Sequence, residues 1–469
     1  MSNRVVSAAL AAGLALLSAG AGSADGQTTQ PTTTGVATAN YADPAFGFEL
    51  TLPAGWEYDR TRFQQFKDSI GLLRGRSPGG VRGLQVVVFR SFSLKPFEDW
   101  MVDFGKAVAE LTDTPRVDWE TWRLPPRAGA ILSLTSKIGV VSTRTHYLCV
   151  PFDPSTVWVL VYSGSFGRPE EQDQIRWEFD QLAASLRVHY DPEEIERLAP
   201  ALDRGKALLE RVRQQGAQAR VDETEYVYDM TIAGKPAGYL SRRVTREEFV
   251  YSAPDAKRRY AKEGLRVRER SWRFAEDGTA WYARVDLFSS FDGQSELIEN
   301  EQSQVPPPEV QPQEVFVRMD KTVREAGVLA SSYTTSRDTV LPDPGKPVSV
   351  GPVYMDQAWV RLLPGLLLGA PEEPVAVAVY HLDSRVLLAH AVQPLGRQPL
   401  GGFDGPTYAF EVRDGFIGKP SKLYCDERGS LLKLEAGDLV LTRVARAEIE
   451  KKYGARRDEI RRRWSIGEP

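Results

Sequence analysis

The stretch "FGFELTLPAGWEYD", residues 46–59, places Phe46, Phe48, Leu50 and Leu52 at every second position, with Gly47, Glu49 and Thr51 between them. Side chains alternate across a strand, so this spacing puts the four apolar groups on one face. Pro53-Ala54-Gly55 then breaks the pattern, and Trp56 is expected to pack back onto the sheet. No residue in the stretch has an evident chemical task; it reads as the opening strand of a sheet-containing domain.

The same domain extends to about His189. Leu84–Phe92 and Val157–Ser163 are dense in Val, Leu and aromatic residues and read as strands with at least one covered face, and Ala130–Phe152 reads as a hairpin. Pro96 opens a predicted helix whose face is Phe97, Trp100, Met101, Phe104, Val108 and Leu111. Pro169 opens a second, with Glu170, Glu171 and Asp173 in the first turn, where the helix dipole favours negative charge, and Ile175, Phe179, Leu182 and Leu186 along its face. A sheet with helices packed on it follows.

Phe46, Phe48, Pro53 and Trp56 form an F-x-F, P, W opening, and Ser185-Leu186-Arg187-Val188 closes the domain after a helix. Residues 41–190 thereby resemble the PsbP-like superfamily, named for an extrinsic photosystem II subunit and including exported bacterial proteins. The resemblance implies an α/β sandwich with an antiparallel sheet and carries no catalytic residues.

Residues 191–218 read as a helical connector, with Ile195, Leu198, Leu202, Leu209 and Val212 at helical spacing; Pro200 and Gly205 leave open one helix or two. Residues 219–446 are strand-rich, with charged residues alternating with Val, Phe, Tyr and Leu, as in antiparallel strands wet on one face. Turns are expected at Gly234-Lys235-Pro236, at Asp277-Gly278 and across Asp426–Leu431, and a Pro-rich loop at 305–314. Tyr354–Pro371 is the most apolar run of this half; Pro364-Gly365 interrupts it, so it is expected to be a short helix facing the inside of a curved sheet. The segments "YDMTIAGKPAGY" and "PSKLYCDERGSLLKLE" make this half similar to periplasmic bacterial domains distantly related to the LolA/LolB lipoprotein carriers. That similarity implies a curved sheet enclosing an apolar cavity; Trp359, Leu362, Leu363, Leu366 and Leu367 read first as plain core, with a ligand-facing role as the sharper alternative. The expected fold class is therefore α+β: a PsbP-like α/β sandwich, a larger β-rich domain with a curved antiparallel sheet, and a C-terminal helix.

That helix, 447–469, is densely charged, with a thin apolar stripe of Ile449, Tyr453, Ile460 and Trp464. It reads as a solvated helix docked by the stripe, or as a surface in which Lys451, Lys452, Arg456, Arg457 and Arg461 meet anionic lipid or an acidic partner.

At the other end, Arg4, an uncharged Ala-rich run and small residues around Ala19-Gly20-Ala21 read as a secretory leader over 1–24, followed by a Thr-rich tether over 25–40. The run is shorter than the ~20 residues a span needs, so the mature chain is expected to have no transmembrane segment and to be exported, to a periplasm or beyond. In 469 residues there are two cysteines, Cys149 and Cys425, too few for a disulfide framework or a zinc site. They are expected to be buried thiols, with a disulfide as the alternative. Basic and acidic residues nearly balance, 59 against 63, which gives no electrostatic footprint for nucleic acid.

Motif chemistry is sparse. The four histidines form no H-x-x-H or H-E-x-x-H pair, and serine-elbow, phosphate-loop and calcium-loop patterns are absent. His146 and Cys149 lie three apart in a predicted strand and so point to opposite faces. Acid pairs such as Glu170-Glu171 and Glu247-Glu248 keep a glycosidase-like reading open. No catalytic residue, metal ligand or cofactor is predicted. The leading expectation is an exported, non-enzymatic binding or structural protein of the cell envelope, with an envelope protein or lipid-like ligand as partner; the alternative is a hydrolase of cell-wall or extracellular polymer.

Overall fold

The computed structural model describes residues 40–464, apart from 44–47, 61–68, 91–95, 113–117, 125–126, 139–140, 154–155, 189–191, 219–220, 253–258, 308–314, 326, 337–346, 382–385 and 415–419. The predicted leader, nearly all of the tether, and Phe46 thus lie outside the described residues. Two compact units divide the chain, Gln27–Ala199 and Pro200–Pro469.

In the first unit, β1 (Asn40–Asp43), β2 (Phe48–Thr51) and β10 (Arg187–Val188) form a small antiparallel sheet in the order β1-β2-β10. A larger antiparallel sheet runs in the order β3-β4-β5-β9-β8-β7-β6, from β3 (Glu57–Asp59), β4 (Ser69–Arg76), β5 (Arg82–Arg90), β6 (Asp118–Leu124), β7 (Arg127–Ile138), β8 (Val141–Asp153) and β9 (Thr156–Phe166). Two helices, α1 (Phe97–Thr112) and α2 (Pro169–Ser185), complete it.

Strand β9 explains the layering. Its inner run is buried at every position because both faces are covered. Val157, Val159 and Val161 pack with Met101, Phe104 and Val108 of α1, the helix face anticipated from spacing. On the opposite face Trp158 meets Phe48 edge-on, and Tyr162 stacks on Trp56 at 6.0 Å. The Tyr162 hydroxyl donates to Glu178 of α2 at 2.6 Å. Phe48, Leu50 and Leu52 are all buried, so the alternation that opened the sequence is realised and Trp56 folds back as expected.

Helix α3 (Pro192–Gln215) is one continuous helix carrying Pro200 inside it, rather than two short ones. In the second unit its buried residues include Leu202, Leu208, Leu209 and Val212. Gly205 is required by close approach: a Cβ there would sit 1.9 Å from the carbonyl oxygen of Ala376.

The second unit is a single antiparallel sheet, fourteen strands among the described residues, in the order β18-β17-β16-β15-β14-β13-β12-β11-β24-β23-β22-β21-β20-β19. One arm is the meander β11 (Tyr226–Ile232), β12 (Lys235–Ser252), β13 (Arg259–Phe274), β14 (Ala280–Ser290), β15 (Glu296–Val305), β16 (Phe316–Glu325), β17 (Val328–Thr335) and β18 (Val348–Ser349). The other comprises β19 (Val375–His381), β20 (Val386–Arg397), β21 (Thr407–Asp414), β22 (Ser421–Asp426), β23 (Leu431–Ala436) and β24 (Leu439–Val444). The β11–β24 pairing joins them. The sheet curls until its ends approach: Ser331 Oγ of β17 and Tyr380 Oη of β19 are 2.6 Å apart.

The predicted turns hold with one shift. Gly278 and Gly429 take positive φ where hairpins were expected, but the first hairpin turns at Ala233-Gly234, with φ of 50° and 75°, one residue before the predicted site. Two consecutive positive φ values are the geometry that matches strand twist in a two-residue hairpin. The Pro-rich loop falls outside the described residues beyond Pro307.

The apolar run folds into two single-turn helices, α4 (Gln357–Val360) and α5 (Leu363–Leu366), with α4 against β13, β14 and β19. After β24 the chain forms α6 (Arg446–Ile449), a π-helical turn over Glu450–Gly454, and α7 (Ala455–Trp464). Among the described residues no helix is long and apolar enough to cross a membrane.

Candidate functional site

The inward face of the curled sheet carries buried charge among its apolar residues. Odd-numbered residues of β13 point inward, and among them Glu269 is fully buried. Arg242 reaches it at 2.5 Å and Arg361, just after α4, at 3.2 Å. Burial alone would raise the Glu269 pKa, but Arg242 and then Arg361 outweigh it and hold the carboxyl below its usual range.

A second buried group surrounds the segment leading into α4. Arg324 donates to both oxygens of Asp356 at 2.7 Å, and Tyr354 donates to Glu296 at 2.6 Å. The Gln357 backbone N–H donates to the other Glu296 oxygen at 2.7 Å. Burial, then the neighbouring Asp356 carboxylate, pushes Glu296 up to about 8. One proton shared by Glu296 and Asp356 leaves the trio with Arg324 neutral, the economical state in a low-dielectric interior. Across the unit, His390 Nδ1 and Asp414 are 2.7 Å apart, and burial raises Asp414 to about 6.

The residues expected to face an apolar ligand lie on α4 and α5 or flank α5. Trp359, Leu363 and Leu367 are buried, while Leu362 and Leu366 are half-buried. Trp359 packs where Gly216 leaves room: a Cβ there would stand 2.9 Å from its ring.

A cavity of about 320 Å³ lies elsewhere in the unit, between the outward face of β11–β14 and the C-terminal helices. The register explains its floor. Tyr239 on β12, Trp272 on β13 and Tyr282 on β14 are cross-strand neighbours, and Ser241 and Arg270 form the next row. The roof docks as the stripe predicted: Ile449 and Tyr453 are buried and Ile460 packs alongside, whereas the Trp464 side chain lies outside the described residues. The π turn sets this register by pulling one extra residue into the helix. Tyr453 donates to Asp229 at 2.9 Å and stacks on Phe274 at 5.6 Å.

The basic helix residues divide by partner. Lys451 is exposed. Lys452 pairs with Asp229 at 2.7 Å, and Arg456 lies over the Phe274 ring and donates to the Ala275 carbonyl. Arg457 forks onto Glu450 at 2.8 and 2.9 Å. Arg461 lies over Trp272, 5.9 Å from its centroid. Arg457 and Arg461 both line the cavity, with Arg446, which pairs with Glu225 at 2.6 Å. Sequence reasoning found the roof and missed the floor. The available signal was the alternation Arg266, Arg268, Arg270, Trp272, Phe274, which sets a basic-aromatic row on one face of β13.

One member of each acid pair has a structural task. Glu171 accepts from the Gly167 and Arg168 N–H groups at the start of α2. Glu247 bridges Arg266 and Arg268. Adjacent on a strand, Glu247 and Glu248 face opposite ways. His146 stacks on Phe179 while Cys149 packs toward α1, on opposite faces as expected. Both cysteines are free and buried, so the disulfide alternative is not realised. His381 pairs in register with Val386 and His390 with Val377, so the two imidazoles are not opposite one another. No cluster of three or more metal-ligating side chains occurs among the described residues.

No protein-family model matches the chain, and no curated protein matches it significantly. Among solved structures, it is similar at 12% identity and a TM-score of 0.33 to a beta-barrel-like protein of the domain of unknown function DUF1849 from Brucella abortus, over 48% of this chain and 97% of that one. A Bacteroides thetaiotaomicron protein overlaps at 10% identity and a TM-score of 0.21, over 37% of this chain and 60% of its own.

Proposed function

We propose that the chain is an exported, non-enzymatic binding protein of the bacterial cell envelope and that its second unit holds the ligand. The observation that carries this reading is the chemistry of the 320 Å³ cavity: three aromatic rings, arginines, and two carboxylates each already engaged by an arginine. Such walls offer contact surface and charge but no free acid–base pair. The Ala-rich leader, the PsbP-like opening and the carrier-like hairpins support export and binding by resemblance. An envelope protein or a lipid-like molecule are the partner classes, and nucleic acid is disfavoured by the near balance of charge. The half-buried Leu362 and Leu366, at α5, would be the contacts for an apolar ligand in the carrier-like reading.

The hydrolase reading has less behind it. Of the described acids with raised pKa, Glu296 and Asp356 are buried and Asp414 keeps a side-chain exposure of 7%, and all three are committed to Arg324, Tyr354 or His390. Native mass spectrometry of the full chain purified from its own envelope tests the proposal. A bound small molecule or protein partner is expected. Bare monomer in every fraction, together with turnover of a cell-wall or polysaccharide substrate, would overturn it.

A further inference from the structure

The binding-protein reading leaves the ligand's chemistry open, and the cavity under the C-terminal helix narrows it. Of its four arginines three are engaged: Arg446 with Glu225, Arg457 with Glu450, and Arg270 with its own neighbours. Arg461 is different. Its Nε is buried and has no hydrogen-bond partner among the described residues, and its guanidinium rests over the Trp272 ring. Tyr282 lines the same space, is 4% exposed, and its buried hydroxyl likewise has no partner there. Buried donors without acceptors are rare because each forfeits its hydration. Both residues line the cavity, and closing of their side chains on a bound acceptor would give both donors the partner they lack.

Beside Ser241 and Arg270, the floor of the cavity is aromatic. Trp272 and Tyr282 are 5.1 Å apart with their planes tilted by 42°, an open wedge of ring faces. The volume suits a small molecule and is too small for a folded segment.

We propose that this cavity binds a small amphipathic anion, with a flat apolar body against Trp272 and Tyr282 and a single carboxylate-type head accepting from Arg461 Nε and the Tyr282 hydroxyl. The assignment rests on the binding-protein reading and adds the ligand class to it. A cation is disfavoured by the arginines, and a neutral apolar molecule would leave both buried donors unmet.

Calorimetric titration of the full chain with 2-naphthoate and with its uncharged analogue 2-naphthamide tests this. Naphthoate is expected to bind one to one and at least about tenfold tighter than the amide, the factor one charge-assisted hydrogen bond supplies. Arg461→Gln should bring naphthoate down to the affinity of the amide, and Tyr282→Phe, which keeps the ring, should weaken naphthoate by several-fold, roughly the worth of one hydrogen bond. Arg462→Gln, on the same helix outside the cavity, should change nothing. Equal affinity for acid and amide, or an Arg461→Gln variant that binds naphthoate undiminished, would overturn the assignment. If neither probe binds while the envelope-purified protein carries a partner, this site fails and the binding-protein reading stands. If naphthoate binds as expected but envelope-purified protein is bare, the site stands and the wider reading is in trouble.

Discussion

The two units bury their centres in opposite ways. Around α1 the first unit packs Met101, Phe104 and Val108 against three valines of β9, and among its described residues no Asp, Glu, Lys or Arg is buried. The second unit places Glu269, Arg242, Arg361, Glu296, Arg324 and Asp356 inside its curled sheet. An apolar core is held by area and shape and tolerates change by degrees. An ion-paired core balances large desolvation costs against large attractions, so removing one partner leaves the other stranded.

The two cysteines make the comparison measurable, because Cys149 reports on the first unit and Cys425 on the second, and both are buried and free. Thiol labelling across a urea titration, resolved by peptide mass spectrometry, gives each unit its own transition. The largest effect is expected for Glu269→Ala, which strands Arg242 and Arg361 and should destabilise the second unit by about 3–5 kcal/mol. A loss of under about 1 kcal/mol there would remove the contrast. Met101→Ala should cost the first unit about 3 kcal/mol and leave Cys425 labelling where it was.

The third test turns on pH, and the two units should respond with opposite signs. Burial, reinforced by Arg144 and Arg176, lowers His146 to about 3, below its unfolded value near 6.5. The unfolded first unit therefore binds more protons between those values, and its stability falls as pH drops through that window. Glu296 and Asp414 are raised, to about 8 and about 6, so the native second unit holds the extra protons. Its stability is highest near pH 4 and falls as pH rises toward 8. Each group contributes a slope of up to about 1.4 kcal/mol per pH unit. Glu296→Gln should flatten the second unit's slope above pH 6 and leave the first unit's untouched; parallel slopes in the two units would contradict the assignment. The smallest effect belongs to the surface: Lys235→Gln, which removes an exposed pair with Glu276, should move neither midpoint measurably.

What could be read in advance follows from periodicity. The face of α1, the burial of Phe48, Leu50 and Leu52, the hairpin turn at Gly278 and the docking stripe Ile449, Tyr453, Ile460 are local patterns, and each was legible. The ionic interior was not. Glu269, Glu296 and Arg324 occupy ordinary alternating positions in strands that look wet on one face, and only closure of the sheet turns that face inward. Arg361 was equally opaque, since the apolar run around it drew the reading toward leucines. The floor of the cavity needed the register of three strands to bring Tyr239, Trp272 and Tyr282 together, which no single segment contains.

The segment that enters the curl also has a protective task. Before α4 the chain lies along β19: the Ala378 N–H donates to the Val353 carbonyl at 2.8 Å, and the Met355 N–H to the Ala378 carbonyl at 2.9 Å. Those bonds occupy the free margin of "VAVAVYH", a run with no charge and strong strand preference whose first six residues are buried. Uncovered, such a margin is a template for another chain to add to, strand upon strand, toward fibrils. The opposite margin is blunted by the brevity of β18, at two residues. Proteolysis or mutation that lifts residues 353–355 should therefore let the protein self-assemble through β19 before the rest of the sheet has lost its pairing.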